Sequence, residues 1–218
     1  MTPVSDEVVW TIVVAGGGGR RFGAAKQYEL LGDARVLDVA VDAARRATDG
    51  VVVVVPPSDV AVEGGVAGGA TRSESVRNGL AVVPPDATIV CVHDAARPLA
   101  SEALFAAVVA AVHGGADAAV PAVPVTDTIK VVDASGAVVA TPERATLVAV
   151  QTPQAFRAPA LRRAHAAGTD STDDAALVEA AGGRVVTVPG EPWNVKITAP
   201  EDLERSRAWL ARREAASR

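Results

Sequence analysis

Four consecutive glycines, Gly16 to Gly19, are followed by Arg20, Arg21 and then Lys26. Glycines let backbone N–H groups approach phosphate oxygens closely, and the cations supply charge, so the loop reads as a cradle for a nucleotide triphosphate. It is not a Walker A loop, because no Gly-Lys-Ser/Thr follows. The dinucleotide pattern G-x-G-x-x-G fails in every register. From Gly16 its last glycine falls on Arg21, from Gly17 on Phe22, and from Gly18 the middle glycine falls on Arg20. A second stretch, "GGATRSESVRNGL" (68–80), places glycines before a serine-rich helix start. Ser73 or Ser75 either caps that helix, or Gly69 approaches a base while Ser75 bonds the nucleotide. The third stretch, "VHDAARP" (92–98), ends a buried run at Asp94, with Arg97 three residues later. An acid there binds a metal ion or ribose hydroxyls while the arginine forks onto phosphate, or the two form a structural pair.

Other candidates stand alone and are individually weak. They are "TDTIK" (126–130) with Thr128, Arg144, "QTPQAF" (151–156) with Thr152, "STDDAALVE" (171–179) and "NVKIT" (194–198) with Lys196. "STDDAALVE" reads as a helix start with a Ser/Thr cap and an acidic first turn. Of 21 basic residues only Lys26, Lys130 and Lys196 are lysine, so either these sites need a compact ammonium rather than a planar fork, or chance alone placed the three there. His93, His113 and His165 show no ligand spacing, which predicts neither a metal cluster nor histidine-based catalysis.

These groups need a scaffold. Strand-like runs at 8–15, 50–56, 87–95 and 116–123 alternate with helix-like runs at 36–47, 72–83 and 101–115. Continuous apolar strands separated by helices predict a mostly parallel sheet covered on both faces, with a ligand crevice beyond the strand carboxyl ends. The rhythm breaks at 124–143, where "TIKVV" and "AVVAT" flank the turn "DASG". That pattern predicts an inserted hairpin, which either grips a second subunit or packs on its own domain. Helices near 158–167 and 173–181, a strand "GRVVTVP", the run "VKIT" and a helix over 200–214 follow, within one domain spanning 1–218.

Hydrophobic residues make up 49% of the 218, yet aromatics only 3%, so the core must be built from Ala, Val and Leu. A net charge of −5 argues against a general nucleic-acid or membrane-surface binder. No apolar stretch approaches the roughly 20 residues of a bilayer span, and the start lacks secretory features. The lone Cys91 excludes an internal disulfide and fits a reducing cytoplasm, buried as a small hydrophobe rather than a nucleophile.

In this order, "RRF…KQY", "TRSESVRNGL", "VHDAARPL", "DTIK", "TPQAF", "TDDA" and "NVKIT" resemble the 2-C-methyl-D-erythritol 4-phosphate cytidylyltransferases over nearly the whole chain. The resemblance implies a Rossmann-like nucleotidyltransferase α/β fold with a β-arm that exchanges contacts in a homodimer. It implies transfer of CMP from CTP to methylerythritol phosphate, with Mg²⁺ or another divalent cation bound mainly through the CTP phosphates. It implies that Arg21 and Lys26 stabilise the transition state, and that Ala15, Gly16, Gly17, Gly18, Gly19, Gly69, Ser75 and Asp94 hold CTP. Asp94, Arg97, Thr128, Arg144, Thr152 and Lys196 would hold the sugar phosphate, Arg144 and Lys196 sharing in catalysis and Asp94 standing as the candidate metal ligand. The rivals are a cytidylyltransferase for another sugar-alcohol phosphate, such as ribitol 5-phosphate, and a nucleotide-binding regulator without turnover. "VHDAARP" favours the first acceptor, and Arg21, Lys26 and Lys196 together favour turnover.

Overall fold

The computed structural model describes residues 7–16, 22 and 25–216. Strand β1 (Val9–Val14) leads to a short 3₁₀ turn, Lys26–Tyr28, and to a small hairpin of β2 (Leu30–Leu31) and β3 (Ala34–Arg35). Then come α1 (Val36–Ala47), β4 (Gly50–Val55), α2 (Val60–Glu63), β5 (Val66–Ala67), α3 (Arg72–Val82) and β6 (Ile89–Asp94). Helix α4 (Glu102–His113) returns to β7 (Ala118–Pro124). Beyond it lie β8 (Val131–Val132), β9 (Val138–Ala140), β10 (Val148–Val150) and β11 (Gln154–Arg157). The chain closes with α5 (Ala158–Ala166), α6 (Asp174–Ala180), β12 (Val185–Pro189) and α7 (Pro200–Ala216).

The main sheet runs β10-β7-β11-β6-β1-β4-β5, with β12 on β7. β1 pairs in parallel with β4 and β6, as do β4 with β5 and β7 with β12. β10 and β11 run antiparallel to β7, and β11 also to β6. The expected mostly parallel α/β sheet is therefore present, with one antiparallel line. "VKIT" is not a strand: residues 195–198 run outside the sheet.

Alternate residues of each strand feed opposite faces, as the two-residue period of a strand requires. Ile12, Val90 and Val92 pack beneath α3, α5 and α6 with Val76, Leu80 and Leu161. Val13, Ile89 and Cys91 face α1 and α4 with Leu37, Leu104 and Phe105. Two layers of helices thus sandwich a core of Val, Leu and Ala. A Cβ on Gly79 would stand 2.7 Å from Ile12 Cγ2 and 2.9 Å from Val54 Cγ2, so only glycine lets α3 lie this close to the sheet. That approach brings the start of α3 over the carboxyl ends of the strands.

The expected hairpin forms around β8 and β9, which pair antiparallel apart from the main sheet. Its turn is held by Asp133, whose Oδ1 accepts from the N–H groups of Ser135 and Ala137. Gly136 takes φ +85° there, in the left-handed region that glycine tolerates. Val131, Val132, Val138 and Val139 are all exposed on this ribbon. No helix among the described residues is long and apolar enough to cross a membrane.

Candidate active site

The chain leaves β1 for β4 on one side and returns to β6 on the other. That reversal opens a crevice at the carboxyl ends of β1 and β6, where doubly wound sheets bind ligands. A cavity of about 550 Å³ lies there, lined among others by Ala15, Gly16, Lys26, Gly69, Asp94 and Lys196. Ser75 also lines it, so every nucleotide-site candidate within the described residues meets the others at one place. Gly17, Gly18, Gly19 and Arg21, and with them the cradle and one of the two expected stabilising cations, lie outside the described residues.

Asp94 ends β6 with its side chain at the cavity, 6% exposed. Its Oδ2 accepts from Lys196 Nζ at 2.6 Å and its Oδ1 from Arg72 Nε at 3.3 Å. Burial pushes this carboxyl up, but Arg72 and Lys196 outweigh burial and hold it well below the usual carboxylate range. It is ionised at neutral pH. Behind it, the Asp94 N–H donates to Thr152 Oγ1 at 3.0 Å, and that oxygen stands 3.1 Å from His93 Nδ1. Thr152 is thus turned toward the backbone of Asp94 and is 5% exposed. Burial draws His93 down to about pH 4, so it is a neutral core ring at physiological pH and no base for the cavity.

Lys196 comes from a braced segment. Arg97 Nη1 donates to the Asn194 carbonyl at 2.7 Å and Nη2 to that of Val150 at 3.2 Å. The Asn194 amide donates to the Thr152 carbonyl at 2.9 Å, and the Ile197 N–H to that of Ala96 at 2.8 Å. Arg97 therefore ties the Lys196 segment to β10, and it is not among the residues lining the cavity. Lys26 Nζ donates to the Ile197 carbonyl at 2.6 Å, which brings the first and last of the chain's lysines to adjacent points of one wall.

At the start of α3 the cap is neither Ser73 nor Ser75. Thr71 fills that position, its Oγ1 accepting from the Glu74 N–H at 3.1 Å. Ser75 instead closes the preceding loop, accepting from the Gly69 N–H at 3.1 Å and donating to the Thr71 carbonyl at 2.9 Å. A Cβ on Gly69 would collide with the Glu74 side chain. Thr128 and Arg144 do not line the cavity; both are exposed on the arm, where Arg144 Nη1 donates to the Thr126 carbonyl at 3.0 Å.

Sequence reasoning gave Arg72 no role. It lines the cavity and bridges Asp94 to Asp174, with Nη1 2.5 Å from Asp174 Oδ2. Its place inside "TRSES" was visible, but an arginine in a first helical turn reads as a surface charge. The cap expected within "STDD" is also corrected: Asp173 stands at that position and makes no side-chain cap bond. Among the described residues no cluster of three or more His, Cys, Asp or Glu side chains could hold a metal ion. Asp94 is the one carboxylate among the described lining residues, and two cations already engage it. This donor set supplies one carboxylate to a divalent ion, which would need its remaining oxygen ligands from a bound anion or water.

A cavity at the strand ends with ammonium groups and a buried carboxylate, on a mostly parallel α/β sheet, has the build of a site for an anionic ligand in a doubly wound α/β protein. A family model described as 2-C-methyl-D-erythritol 4-phosphate cytidylyltransferase matches residues 9–212. The chain belongs to that family. It is 49% identical to the 2-C-methyl-D-erythritol 4-phosphate cytidylyltransferase of Rhodococcus jostii, covering 92% of this chain and 94% of that one. It is 48% identical to a bifunctional IspD/IspF enzyme of Anaeromyxobacter dehalogenans, matching 95% of this chain but spanning only 58% of that longer protein. The crystal structure of the cytidylyltransferase from Thermus thermophilus superposes with a TM-score of 0.78 at 35% identity, covering 92% of this chain and 98% of that one.

Proposed function

We propose that the chain transfers CMP from CTP to 2-C-methyl-D-erythritol 4-phosphate, giving 4-diphosphocytidyl-2-C-methyl-D-erythritol and pyrophosphate in the non-mevalonate route to isoprenoids. The observation that carries this reading is the meeting of Lys26, Asp94 and Lys196 at one cavity in a chain matched by the family from residue 9 to 212. An acceptor phosphate oxygen bonds to the α-phosphorus as the bond from that phosphorus to the bridging β-phosphate oxygen breaks. Pyrophosphate leaves with the electron pair. The acceptor phosphate is already anionic at neutral pH, so no general base is needed, and a site with no working histidine suits the step. What the reaction needs is alignment and cations against charge building on phosphorus.

In this reading Ala15, Gly16 and the three glycines after it, with Gly69 and Ser75, seat CTP, while Arg21 and Lys26 offset the developing charge. Lys196 receives the acceptor phosphate, and Arg97 and Thr152 act by holding the Lys196 segment and Asp94 in place. A divalent cation such as Mg²⁺ would be held mainly by the triphosphate itself and would offset the charge of its oxygens, with Asp94 the carboxylate of the cavity wall that would join in holding it. Thr128 and Arg144 belong to a site completed across a homodimer, the exposed valines of the arm clasping the partner subunit. The work is cytoplasmic, in keeping with a single buried thiol, Cys91. The test is CTP-dependent pyrophosphate release with methylerythritol phosphate and, separately, ribitol 5-phosphate. Release with the first supports the reading, release with ribitol 5-phosphate alone replaces the acceptor, and none with either overturns it.

A further inference from the structure

The motif "TDDA" has no place in the proposed chemistry; it opens α6 with an acid in the first turn as expected, but without the expected Ser/Thr cap. Its second acid does something else. Asp174 is fully buried, and both of its oxygens are engaged away from its own helix end. Oδ2 takes Arg72 Nη1 at 2.5 Å, and Oδ1 stands 3.0 Å from His165 Nε2. The same guanidinium reaches Asp94 through Nε, and Asp94 reaches Lys196. A continuous run of charged groups, Lys196–Asp94–Arg72–Asp174, therefore leads from the cavity into the interior between α5 and α6.

The surroundings brace this run. Ser73 Oγ donates to the Ser171 carbonyl at 2.8 Å and accepts from the Ser171 N–H at 2.9 Å. Thr71 Oγ1 donates to Asp170 at 2.9 Å, and the Gln154 amide donates to Asp173 at 2.7 Å. Residues 170–174 thus fasten the start of α3, whose preceding loop forms one wall of the cavity. A planar guanidinium can meet two carboxylates at once with fixed geometry, which an ammonium cannot. With Asp174 as its inner anchor, Arg72 can present Nε to Asp94 in only one direction.

We infer that Asp174 is a positioning residue for the nucleotide site: it anchors the Arg72 guanidinium, which fixes the Asp94 carboxylate at the cavity. The inference rests on reading that cavity as the CTP site. Neutralising Asp174 frees Arg72 to turn toward Asp94 alone or out into the cavity, and the seat for CTP loses its shape while Lys26 and Lys196 remain.

The experiment uses the full chain in the CTP-dependent pyrophosphate assay, with Asp94→Asn, Asp174→Asn, Arg72→Gln and the charge-balanced pair Arg72→Gln/Asp174→Asn. The pair keeps the interior neutral, so it stays measurable if Arg72→Gln alone leaves Asp174 unpaired and fails to fold. Asp174→Asn should raise the KM for CTP roughly tenfold with kcat changed by less than about threefold, as expected for lost ground-state seating. Asp174→Glu should recover part of that loss. The pair should be no worse for CTP than Arg72→Gln, or, if that variant does not fold, no more than about threefold worse than Asp174→Asn, because residues acting through one another do not add. Losses that multiply would overturn the inference, as would an unchanged KM for CTP in Asp174→Asn alongside a raised one in Asp94→Asn. If Asp94→Asn also leaves CTP untouched, the reading of the cavity itself falls, and the inference with it.

Discussion

Lys196 Nζ and Asp94 Oδ2 are 2.6 Å apart across 102 positions of sequence. The pair shares one wall of the cavity with Lys26, which holds the Ile197 carbonyl next door. A carboxylate between two cations, Arg72 and Lys196, keeps Lys196 in place without consuming all of its donors, since an ammonium has three.

The first prediction follows from that spare capacity. Lys196→Met keeps the length of the stem and removes the charge. It should lower kcat/KM for methylerythritol phosphate by roughly one to two powers of ten, the effect of losing one charged hydrogen bond to phosphate. Steady-state kinetics at saturating CTP would read it, and an unchanged value would remove Lys196 from the acceptor site.

A second prediction concerns pH. His93 is fully buried, its ring 5.3 Å from that of Phe105, and burial lowers its pKa from 6.5 to about 4. Well above pH 6.5 the ring is neutral in both folded and unfolded chains, and its contribution is fully present. As pH falls toward 4, the unfolded chain binds a proton that the fold excludes, so stability is lost, by about 3 kcal/mol in total. Asp94, held low, loses its own contribution only in stronger acid. Urea unfolding at pH 7.5 and 4.5 should show the decline, and His93→Asn should flatten it, whatever that change does to stability at pH 7.5. An equal slope in both proteins would refute the account.

Gly79→Ala offers a third. Alanine is normally better than glycine inside a helix by about 1 kcal/mol. Here the added methyl meets branched side chains of Ile12 and Val54 in the sheet, and overpacking of this kind costs about 1–3 kcal/mol. The variant should melt at a lower temperature than the parent and, because α3 must lift, show a raised KM for CTP. A higher melting temperature would mean that the sheet yields more easily than its packing indicates.

How far the chain could be read in advance varied with the range of the interactions. Helix α1 was expected over 36–47 and forms over Val36–Ala47, because Val36, Leu37, Ala40, Val41 and Ala44 mark one buried face by local period alone. The antiparallel line of β10 and β11 was not legible. "LVAVQTPQAF" is as apolar as a parallel strand, and its direction is set by pairing with β6 and β7. The site divides the same way. Asp94 at a strand end and the lysines among many arginines stood out by type, whereas Arg72 and Asp174, 102 residues apart, gain meaning only from a contact that no local pattern encodes. Arg97 stood out by charge, whereas the contacts of its Nη1 and Nη2 with the carbonyls of Asn194 and Val150 are no more legible in its spacing than those of Arg72.

The last prediction joins the arm to the cavity. Arg144 and Thr128 are exposed and line no part of the cavity among the described residues, although the resemblance of the sequence implies that they hold the sugar phosphate. Val138 and Val139 on the same arm are 58% and 60% exposed, an apolar surface that water does not favour. Both facts are met if the arm lies over a second subunit and delivers Arg144 to that subunit's site. Light scattering at micromolar concentration should then give twice the chain mass, and a fully active monomer would end the argument. Lys26→Ala should abolish turnover far more than it weakens CTP binding, because its charge matters most in the transition state. Arg144→Met should be nearly inactive through the acceptor, with the KM for CTP nearly unchanged. Mixing the two inactive proteins under conditions of subunit exchange should restore activity, since one site of each hybrid dimer would combine an intact Lys26 with an intact Arg144 from its partner. No recovery, with exchange verified by a mass-tagged subunit, would place Arg144 in its own subunit's site or outside the chemistry.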